Sequence, residues 1–222
     1  YFKSKKSNIP FVTCKLAISK DFYTINKKNK WITNSSSRGR VHLMRSSHEC
    51  LITSSKTVIK DNPRLTCRID GLNYSTPSRI ILDNRLKTNI NSKIIKEANK
   101  YNTIIFYNKI NKKKIISLRK LKIKTYKIPL DYSGHLDLKA SLIKAKEIGF
   151  SRILLETGTI LTTSFFNNEL IDDFKLFISS KNLGKNGSNS IKKYFGSFLK
   201  NKKKILEKVN LSDDKLISYK IK

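Results

Sequence analysis

Residues 152–180 read RILLETGTILTTSFFNNELIDDFKLFISS, and this stretch indicates the fold class. The apolar run at its start is typical of a buried strand. A glycine turn at Gly158 then opens a helical segment over residues 159–168, and a second apolar strand follows over residues 172–180. A strand, a helix and another strand of these lengths predict a βαβ unit with two parallel strands.

The same alternation extends along the rest of the chain. Further strands are predicted over residues 11–18, 49–53, 79–83, 103–107 and 122–128, and further helices over residues 35–47, 54–59, 92–101 and 136–148. Residues 20–30 are predicted to be a polar loop, and the tail is predicted to be a hairpin that turns at residues 212–214. We therefore predict a single α/β domain, with a mostly parallel central sheet flanked by helices and a C-terminal antiparallel hairpin.

The composition indicates the cellular compartment of the protein. Residues 1–9 are polar and basic and are predicted to be a lead-in before a domain over residues 10–222. No run of about 18 apolar residues is present, which excludes a transmembrane helix, and no secretory signal sequence is recognised. The widely spaced Cys14, Cys50 and Cys67 form no zinc-binding pair and are predicted to be reduced and buried, which favours the cytoplasm.

The charge of the chain has two interpretations. The sequence carries 47 Lys and Arg against 16 Asp and Glu, a formal net charge of +31, which is typical of nucleic-acid binding proteins. However, 38 of the 47 basic residues are Lys, and the chain is rich in Asn and Ile, all residues of A/T-rich codons. Basic stretches lie at residues 109–127 and 192–208, and the first of them contains a single aromatic residue, Tyr126, for base stacking. We favour the codon bias and expect no nucleic-acid or membrane partner.

The turn at Gly158 is a candidate phosphate site. A helix N-terminus that follows a strand presents backbone N–H groups to an anion, and Thr159, Thr162 and Thr163 could add hydroxyl donors. The chain contains neither GxGxxG nor GxxxxGK[ST], so neither a standard Rossmann site nor a P-loop is predicted. An ordinary helix start without a ligand is the alternative.

A second candidate site is the polar segment 57–68, TVIKDNPRLTCR. It offers an acid, Asp61, and two arginines, Arg64 and Arg68, and arginine can bind a phosphate with two parallel hydrogen bonds. A plain turn at Asn-Pro is the alternative. The single tryptophan, Trp31, lies in a polar stretch and could belong either to the core or to a cofactor pocket. The three histidines lack the spacing of metal ligands, so no metal site is predicted.

Several short motifs follow one another within residues 10–184. They are KLAISKD (15–21), WIT (31–33), RVHLMR (40–45), TVIKDNPRLTCR (57–68), GHLDL (134–138) and LETG (155–158). In this order and spacing they resemble the reductase half of the bacterial bifunctional deaminase/reductase of riboflavin biosynthesis. The resemblance implies a dihydrofolate-reductase-like fold. It also implies the NADPH-dependent reduction of 5-amino-6-(5-phosphoribosylamino)uracil at the ribose C1′.

The resemblance also implies roles for particular positions. Activity is expected to depend on Lys15 and Glu156, either of which could steer the protons. The positions implied to bind NADPH are Ala17, Trp31, Thr57, Asp61, Asn84, Gly158, Thr159, Ile160, Leu161, Thr162, Thr163 and Ser164. The positions implied to bind the substrate are Asn29, Arg45, Leu65, Arg68 and Glu156.

The chain departs from the family pattern at four positions. Phe22 stands where the family has Gly, Asn29 where it has Ser, Asn62 where it has Asp, and Thr159 where it has Pro. These departures leave open a dihydrofolate-reductase-like NADPH reductase of another substrate. The net charge leaves open a non-catalytic, polyanion-binding derivative of the fold.

The resemblance finally implies partners. Family members commonly form homodimers, so a homodimer is expected. The chain lacks the His-x-Glu and Pro-Cys-x-x-Cys motifs of the deaminase half, so it is predicted not to deaminate. Because it starts without Met, a deaminase domain is expected to precede Tyr1 in the natural protein, with a stand-alone reductase as the alternative.

Overall fold

The computed structural model describes residues 8–192 and 198–222. These residues form two compact units. Unit 1 comprises residues 8–11 and 45–154, and unit 2 comprises residues 12–44 and the described residues from 155 onward. Most of the predicted lead-in, residues 1–7, lies outside the described residues.

Strands and helices alternate along most of the described chain. The strands are β1 (Phe11–Ile18), β2 (Tyr23–Asn26), β3 (Cys50–Ser54), β4 (Ser78–Leu82), β5 (Thr103–Tyr107), β6 (Lys124–Lys127), β7 (Arg152–Glu156), β8 (Asp173–Ile178), β9 (Gly187–Ser190), β10 (Lys203–Leu206) and β11 (Lys215–Lys220). The α-helices are α1 (Ser35–Ser46), α2 (Ser55–Asp61), α3 (Lys93–Lys96), α4 (Lys112–Lys120), α5 (Leu138–Glu147) and α6 (Thr159–Asn167). Two 3₁₀ turns lie at Asn73–Ser75 and Gly184–Asn186.

The sheet of unit 1 is built from parallel strands. Its order is β7-β3-β4-β5-β6, and the pairs β3–β4, β4–β5 and β5–β6 are all parallel. Ile52 pairs with Ile80, which pairs with Ile104, and all three side chains are buried. Continuous apolar strands of this kind are typical of parallel sheets covered on both faces, because neither face meets water.

Unit 2 combines a parallel pair with an antiparallel hairpin. Its strand order is β10-β11-β8-β1, in which β1 and β8 are parallel while β11 is antiparallel to both β8 and β10. Helix α6 packs on one face, where the rings of Phe166 and Phe174 lie 5.2 Å apart. On the other face, Val41 of helix α1 packs with Phe177 and Leu216.

A two-stranded ribbon of β2 and β9 is the main element that the sequence prediction missed. Residues 23–26 were predicted to belong to a loop, but Tyr23 pairs with Ser190 and Ile25 with Ser188. The prediction was wrong because the partner strand is far away in sequence. Gly187 permits the pairing, since a Cβ atom at this position would lie 2.2 Å from the Tyr23 ring.

One predicted helix is shorter than expected, and one helix of the structure was not predicted. The helix predicted over residues 92–101 is regular only over Lys93–Lys96. The Ile94 carbonyl accepts a hydrogen bond from the Arg79 guanidinium, and the Ala98 N–H, which a longer helix would pair with it, donates to the Ile95 carbonyl instead. Helix α4 was not predicted, since it lies in the basic stretch 109–127. Its inner face consists of Ile115 and Leu118, which are buried at helical spacing.

The predicted fold class is confirmed, with mostly parallel strands, flanking helices and the antiparallel hairpin of β10 and β11. Cys14, Cys50 and Cys67 are buried and unbridged, as predicted. Burial raises the pKa of the Cys14 thiol to about 12, so this thiol is inert at neutral pH. Within residues 8–192 and 198–222, no helix is both long and apolar enough to cross a membrane.

Candidate active site

The residues singled out by the sequence fall into two groups, one in each unit. Unit 2 carries Lys15, Ala17, Asn29, Trp31, Glu156 and the start of helix α6. Unit 1 carries Arg45, Thr57, Asp61, Leu65, Arg68 and Asn84.

Lys15 lies in the middle of strand β1, beside a second lysine. Its Cα atom is in register with that of Lys175 on β8, and its Nζ atom lies 5.9 Å from the centre of the Phe177 ring. Lys175 donates hydrogen bonds to Glu207 Oε1 at 2.8 Å and to Ser218 Oγ at 2.6 Å. The hydrogen bond from Lys175 lowers the pKa of Glu207, so this pair stays ionised and the charge of Lys175 is compensated.

Glu156 ends strand β7 and is almost completely buried. Ligands of open α/β sheets bind beyond the carboxyl ends of the strands, and this is where Glu156 lies. Only Thr157 separates it from Gly158, the residue that caps helix α6. A carboxyl group is therefore placed at the start of a helix.

The helix start at Gly158 is open. Gly158 has φ −74° and ψ 169°, an extended conformation that any residue adopts, so its turn does not require glycine. A Cβ atom at this position would nevertheless meet no heavy atom within 4 Å. The first N–H groups of a helix have no partner within the helix and favour an anion, so this helix start is a candidate phosphate site.

The hydroxyl groups of helix α6 point in different directions. Thr162 is fully buried, and its Oγ1 lies 4.0 Å from Cys14 Sγ, so it faces the sheet rather than a ligand at the helix start. Thr159 Oγ1 accepts a hydrogen bond of 2.6 Å from Asn189 Nδ2. Thr163 is half-buried and Ile160 is exposed. Thr159 is buried as well, so of the three threonines predicted as donors only Thr163 is partly exposed.

Trp31 is at the surface. Its side chain is 51% exposed, which rules out the alternative of a core tryptophan. The Nζ of Lys30 lies 5.3 Å from the ring centre, and the guanidinium carbon of Arg38 lies 4.9 Å from it. An exposed aromatic face between two cations suits a flat, negatively charged ligand. Asn29 is also exposed, and its Oδ1 accepts a hydrogen bond of 3.3 Å from the backbone N–H of Trp31.

Two arginines of unit 1 meet at Thr66. Arg45 Nη1 donates to the Thr66 carbonyl at 3.0 Å, and Arg68 Nη1 donates to Thr66 Oγ1 at 3.2 Å. Desolvation and then the charges of Arg45 and Arg64 lower the pKa of Arg68, which shows that the cations crowd one another. The buried Leu65 has φ +54°, a strained conformation that turns the segment between them. An anion would relieve this repulsion.

The remaining predicted residues of unit 1 differ in what they can offer. Thr57 is held at the start of helix α2 by Ser54, whose Oγ lies 3.0 Å from Thr57 Oγ1, and Asp61 ends the helix in an exposed position. Asn84 Nδ2 donates to the Gly134 carbonyl at 3.1 Å. Its Oδ1 is buried and has no hydrogen-bond partner among the described residues, so it can accept one from a ligand.

The chain is similar to known proteins. The family model described as the RibD C-terminal domain matches residues 10–211. The chain belongs to the RibD C-terminal domain family. The riboflavin biosynthesis protein RibD of Aquifex aeolicus is 32% identical over 216 residues, which are 95% of this chain and 58% of that protein. This chain spans about half the length of the RibD relatives that it matches.

A shorter relative and two solved structures extend the comparison. The 5-amino-6-(5-phosphoribosylamino)uracil reductase of Buchnera aphidicola (Acyrthosiphon pisum) is 26% identical, covering 72% of this chain and 79% of its own. Acinetobacter baumannii RibD superposes with a TM-score of 0.79 at 23% identity, over 99% of this chain and 60% of that one. Enterococcus faecalis dihydrofolate reductase gives 0.50 at 8% identity over 95% of each chain. The expected dihydrofolate-reductase-like fold is confirmed.

The departures from the RibD family pattern have local structural consequences. Phe22 has φ +71°, a conformation that suits the family glycine and strains phenylalanine. Asn62 has φ +42° at the end of helix α2, where asparagine is well tolerated, and its Oδ1 accepts a hydrogen bond of 2.9 Å from the Lys93 N–H. The change at Asn62 therefore fits its backbone, whereas the change at Phe22 does not.

Sequence reasoning missed three residues that support these positions. Asn189 contacts Thr159, Lys175 lies beside Lys15, and Arg79 is buried under the segment that carries Leu65. Each acts across strands or segments that are distant in sequence, so no local pattern marks it. Among the described residues, no group of three or more His, Cys, Asp or Glu side chains could hold a metal ion.

Proposed function

We propose that this chain is an NADPH-dependent reductase of riboflavin biosynthesis, converting 5-amino-6-(5-phosphoribosylamino)uracil to 5-amino-6-(5-phosphoribitylamino)uracil. The observation that carries the proposal is the buried Glu156 two residues before the open helix start at Gly158. A group that can exchange a proton and a surface that can bind phosphate thus share one strand–helix turn. Membership in the RibD C-terminal domain family and the similarity to the Buchnera reductase support the same reaction.

The residues present fit the proposed cofactor. When bound, NADPH supplies a hydride for transfer to the substrate. The N–H groups after Gly158 suit its phosphates. The exposed ring of Trp31, flanked by Lys30 and Arg38, suits a flat ring next to phosphate groups.

The proposed chemistry requires proton movements that side chains can direct. When the ribose ring opens, the C1′–O4′ bond breaks, O4′ takes up a proton and the nitrogen loses one, which leaves an imine between C1′ and the nitrogen. Reduction adds a hydride to C1′ and a proton to the nitrogen. Lys15 and Glu156 are the proposed groups that hold and deliver protons in these steps. Glu207 neutralises the charge of Lys175, so Lys15 does not lie beside a second uncompensated positive charge.

Arg45 and Arg68 are the proposed ligands of the substrate phosphate. Each is oriented by an oxygen of Thr66, and their mutual repulsion favours binding a dianion. Arginine suits this role because its planar group forms two parallel hydrogen bonds with a phosphate.

The test is to follow NADPH oxidation at 340 nm with the phosphoribosylamino-uracil as substrate, beside a control without substrate and an NADPH binding titration. Substrate-dependent oxidation is the expected result. NADPH binding without turnover would favour a reductase of another substrate. Absence of NADPH binding, together with salt-sensitive binding of nucleic acid, would favour the polyanion-binding alternative instead.

Three further features belong to the proposal. They are a homodimer, a cytoplasmic location and a natural protein in which a deaminase domain precedes this one. Sedimentation of the purified chain tests the first. Similarity to RibD proteins about twice as long supports the third.

A further inference from the structure

The side chain of Asn189 joins the β2–β9 ribbon to the first residue of helix α6. Its Nδ2 donates to Thr159 Oγ1 at 2.6 Å and to Thr24 Oγ1 at 3.0 Å. Thr24 Oγ1 donates to the carbonyl oxygen of Asn189, also at 3.0 Å. One amide group therefore ties both strands of the ribbon to the start of the helix.

The backbone at this position also favours asparagine. Asn189 has φ +61°, in the left-handed region that asparagine enters more readily than other residues with a side chain. The position thus requires both an unusual backbone conformation and a side chain with two N–H donors. Asparagine meets both requirements.

The ribbon continues directly into the segment that carries Trp31. Asn26, the last residue of β2, accepts hydrogen bonds at its Oδ1 from the N–H groups of Lys28 and Asn29, at 3.0 and 3.2 Å. Asn29 Oδ1 then accepts one from the Trp31 N–H at 3.3 Å. These consecutive turns hold the segment against the end of β2, so the position of Trp31 depends on the position of the ribbon.

We propose that Asn189 is a positioning residue that holds the ribbon, and with it Trp31, in place against the helix start that receives NADPH. This inference rests on the proposed function. Holding both segments in one arrangement before the cofactor arrives reduces the ordering that binding must supply. Thr159 stands where the family pattern has proline, which has no hydroxyl group, so this contact depends on the residue particular to this chain.

The decisive variant is Asn189→Gly, because glycine accepts the left-handed backbone while removing the amide. We expect its NADPH dissociation constant to rise about three- to tenfold, the usual effect of losing one hydrogen bond. Trp31 is the only tryptophan, so quenching of its fluorescence by NADPH measures the constant directly. Without cofactor, the fluorescence anisotropy of Trp31 is expected to fall in this variant.

Two comparisons separate this role from a general loss of structure. Ser188→Ala, on the same strand, is expected to bind NADPH as the unsubstituted protein does. Thr159→Val removes the other partner, and combining it with Asn189→Gly is expected to weaken binding by less than the product of the two separate effects, because both substitutions remove the same hydrogen bond. Unchanged NADPH affinity in Asn189→Gly, or effects of the two substitutions that multiply, would overturn the proposal.

The outcomes also distinguish this inference from the proposed function. If the unsubstituted protein does not bind NADPH, the proposed function fails, and so does the cofactor role of Asn189. The anisotropy of Trp31 without cofactor then still tests whether Asn189 holds the ribbon against the helix. A lower value in Asn189→Gly supports the contact between ribbon and helix, and an equal value overturns it.

Discussion

The guanidinium of Arg79 donates a hydrogen bond to the carbonyl oxygen of Arg64 across 2.9 Å, although Arg79 is fully buried. Its Nη2 atom donates to the carbonyl of Tyr101 at 2.9 Å and to Thr103 Oγ1 at 2.6 Å. Burial lowers the pKa of Arg79 to about 10, so it still carries its charge at neutral pH. One buried cation thus fixes the segment that continues into the strained Leu65.

Replacing Arg79 should therefore destabilise the protein strongly. Arg79→Met removes the donors and leaves several buried carbonyl groups without partners, so we expect a loss of about 3–5 kcal/mol in the free energy of unfolding. Arg79→Lys keeps the charge but has fewer donors, so its loss should be smaller. Urea denaturation measures both. The exposed Arg119→Met is the control, and equal stability of the two Met variants would contradict the role given to Arg79.

The strain at Phe22 gives a prediction about backbone conformation. Phe22→Gly and Phe22→Ala both remove the ring, which is 42% exposed, and differ only in a Cβ atom. At φ +71° the glycine variant should be more stable than the alanine variant by about 1 kcal/mol, the reverse of their order in a helix. Urea denaturation of the pair checks the prediction. A more stable alanine variant would mean that residue 22 is not left-handed in solution.

Asp21, next to Phe22, gives a prediction about pH. Its carboxylate accepts hydrogen bonds from Ser19 Oγ at 2.6 Å and from the Gly184 N–H at 2.7 Å. Desolvation raises the pKa of Asp21, but these bonds and one from the Leu183 N–H outweigh it and lower the pKa to about 2. The ionised form is thus favoured by folding, and its contribution to stability is complete above the ordinary pKa of 3.8.

That contribution should disappear as the pH falls from about 4 toward 2. Asp21→Asn should be less stable than the unsubstituted protein at pH 7, and the difference should shrink across this range. Urea denaturation at a series of pH values measures the difference, with the exposed Asp70→Asn as control. A difference that stays constant down to pH 2 would show that the hydrogen bonds do not depend on the charge.

Strands β3, β4 and β5 of unit 1 were predictable because burial on both faces leaves an almost continuous apolar run, whereas β6 was predicted from its alternation of basic and apolar residues. Residues 103–107 were predicted as a strand, and β5 has these bounds. The turn at Gly158 was equally visible, since a strand, a glycine and a helix follow one another locally. The positions of Lys15 and Glu156, in contrast, came from the family resemblance, because their chemistry depends on neighbours that no local pattern specifies.

The features that were missed depend on contacts between distant residues. The ribbon strand β2 is only four residues long and lies within a polar stretch, and its pairing with β9 joins residues more than 160 positions apart. The early end of helix α3 follows from the Arg79 side chain, which takes the Ile94 carbonyl that a longer helix would pair with the Ala98 N–H. Propensity and periodicity describe neighbours in sequence, so they reveal neither the pairing of β2 with β9 nor the contact of Arg79 with helix α3.

Arg68 should favour the phosphorylated substrate over its dephosphorylated analogue. Arg68→Lys keeps the charge and loses the two parallel donors, so we expect KM for the phosphorylated substrate to rise about tenfold, equivalent to about 1.4 kcal/mol. The dephosphorylated analogue should be reduced equally by both proteins, and NADPH affinity should not change. Steady-state kinetics with the two substrates measures this, with Arg119→Lys as the surface control. Equal effects on both substrates would show that Arg68 does not bind the phosphate.

Glu156 should be required for the chemical step rather than for binding. Glu156→Gln keeps the size of this buried side chain and removes its ability to exchange a proton, so kcat should fall by a factor of about 100 to 10,000. The NADPH dissociation constant, measured through Trp31 fluorescence, should stay the same, because the helix start at Gly158 is untouched. Glu147→Gln at the exposed end of helix α5 is the matched control. Full turnover by Glu156→Gln would exclude a proton role for this carboxyl and leave Lys15 as the remaining group to test, by Lys15→Met.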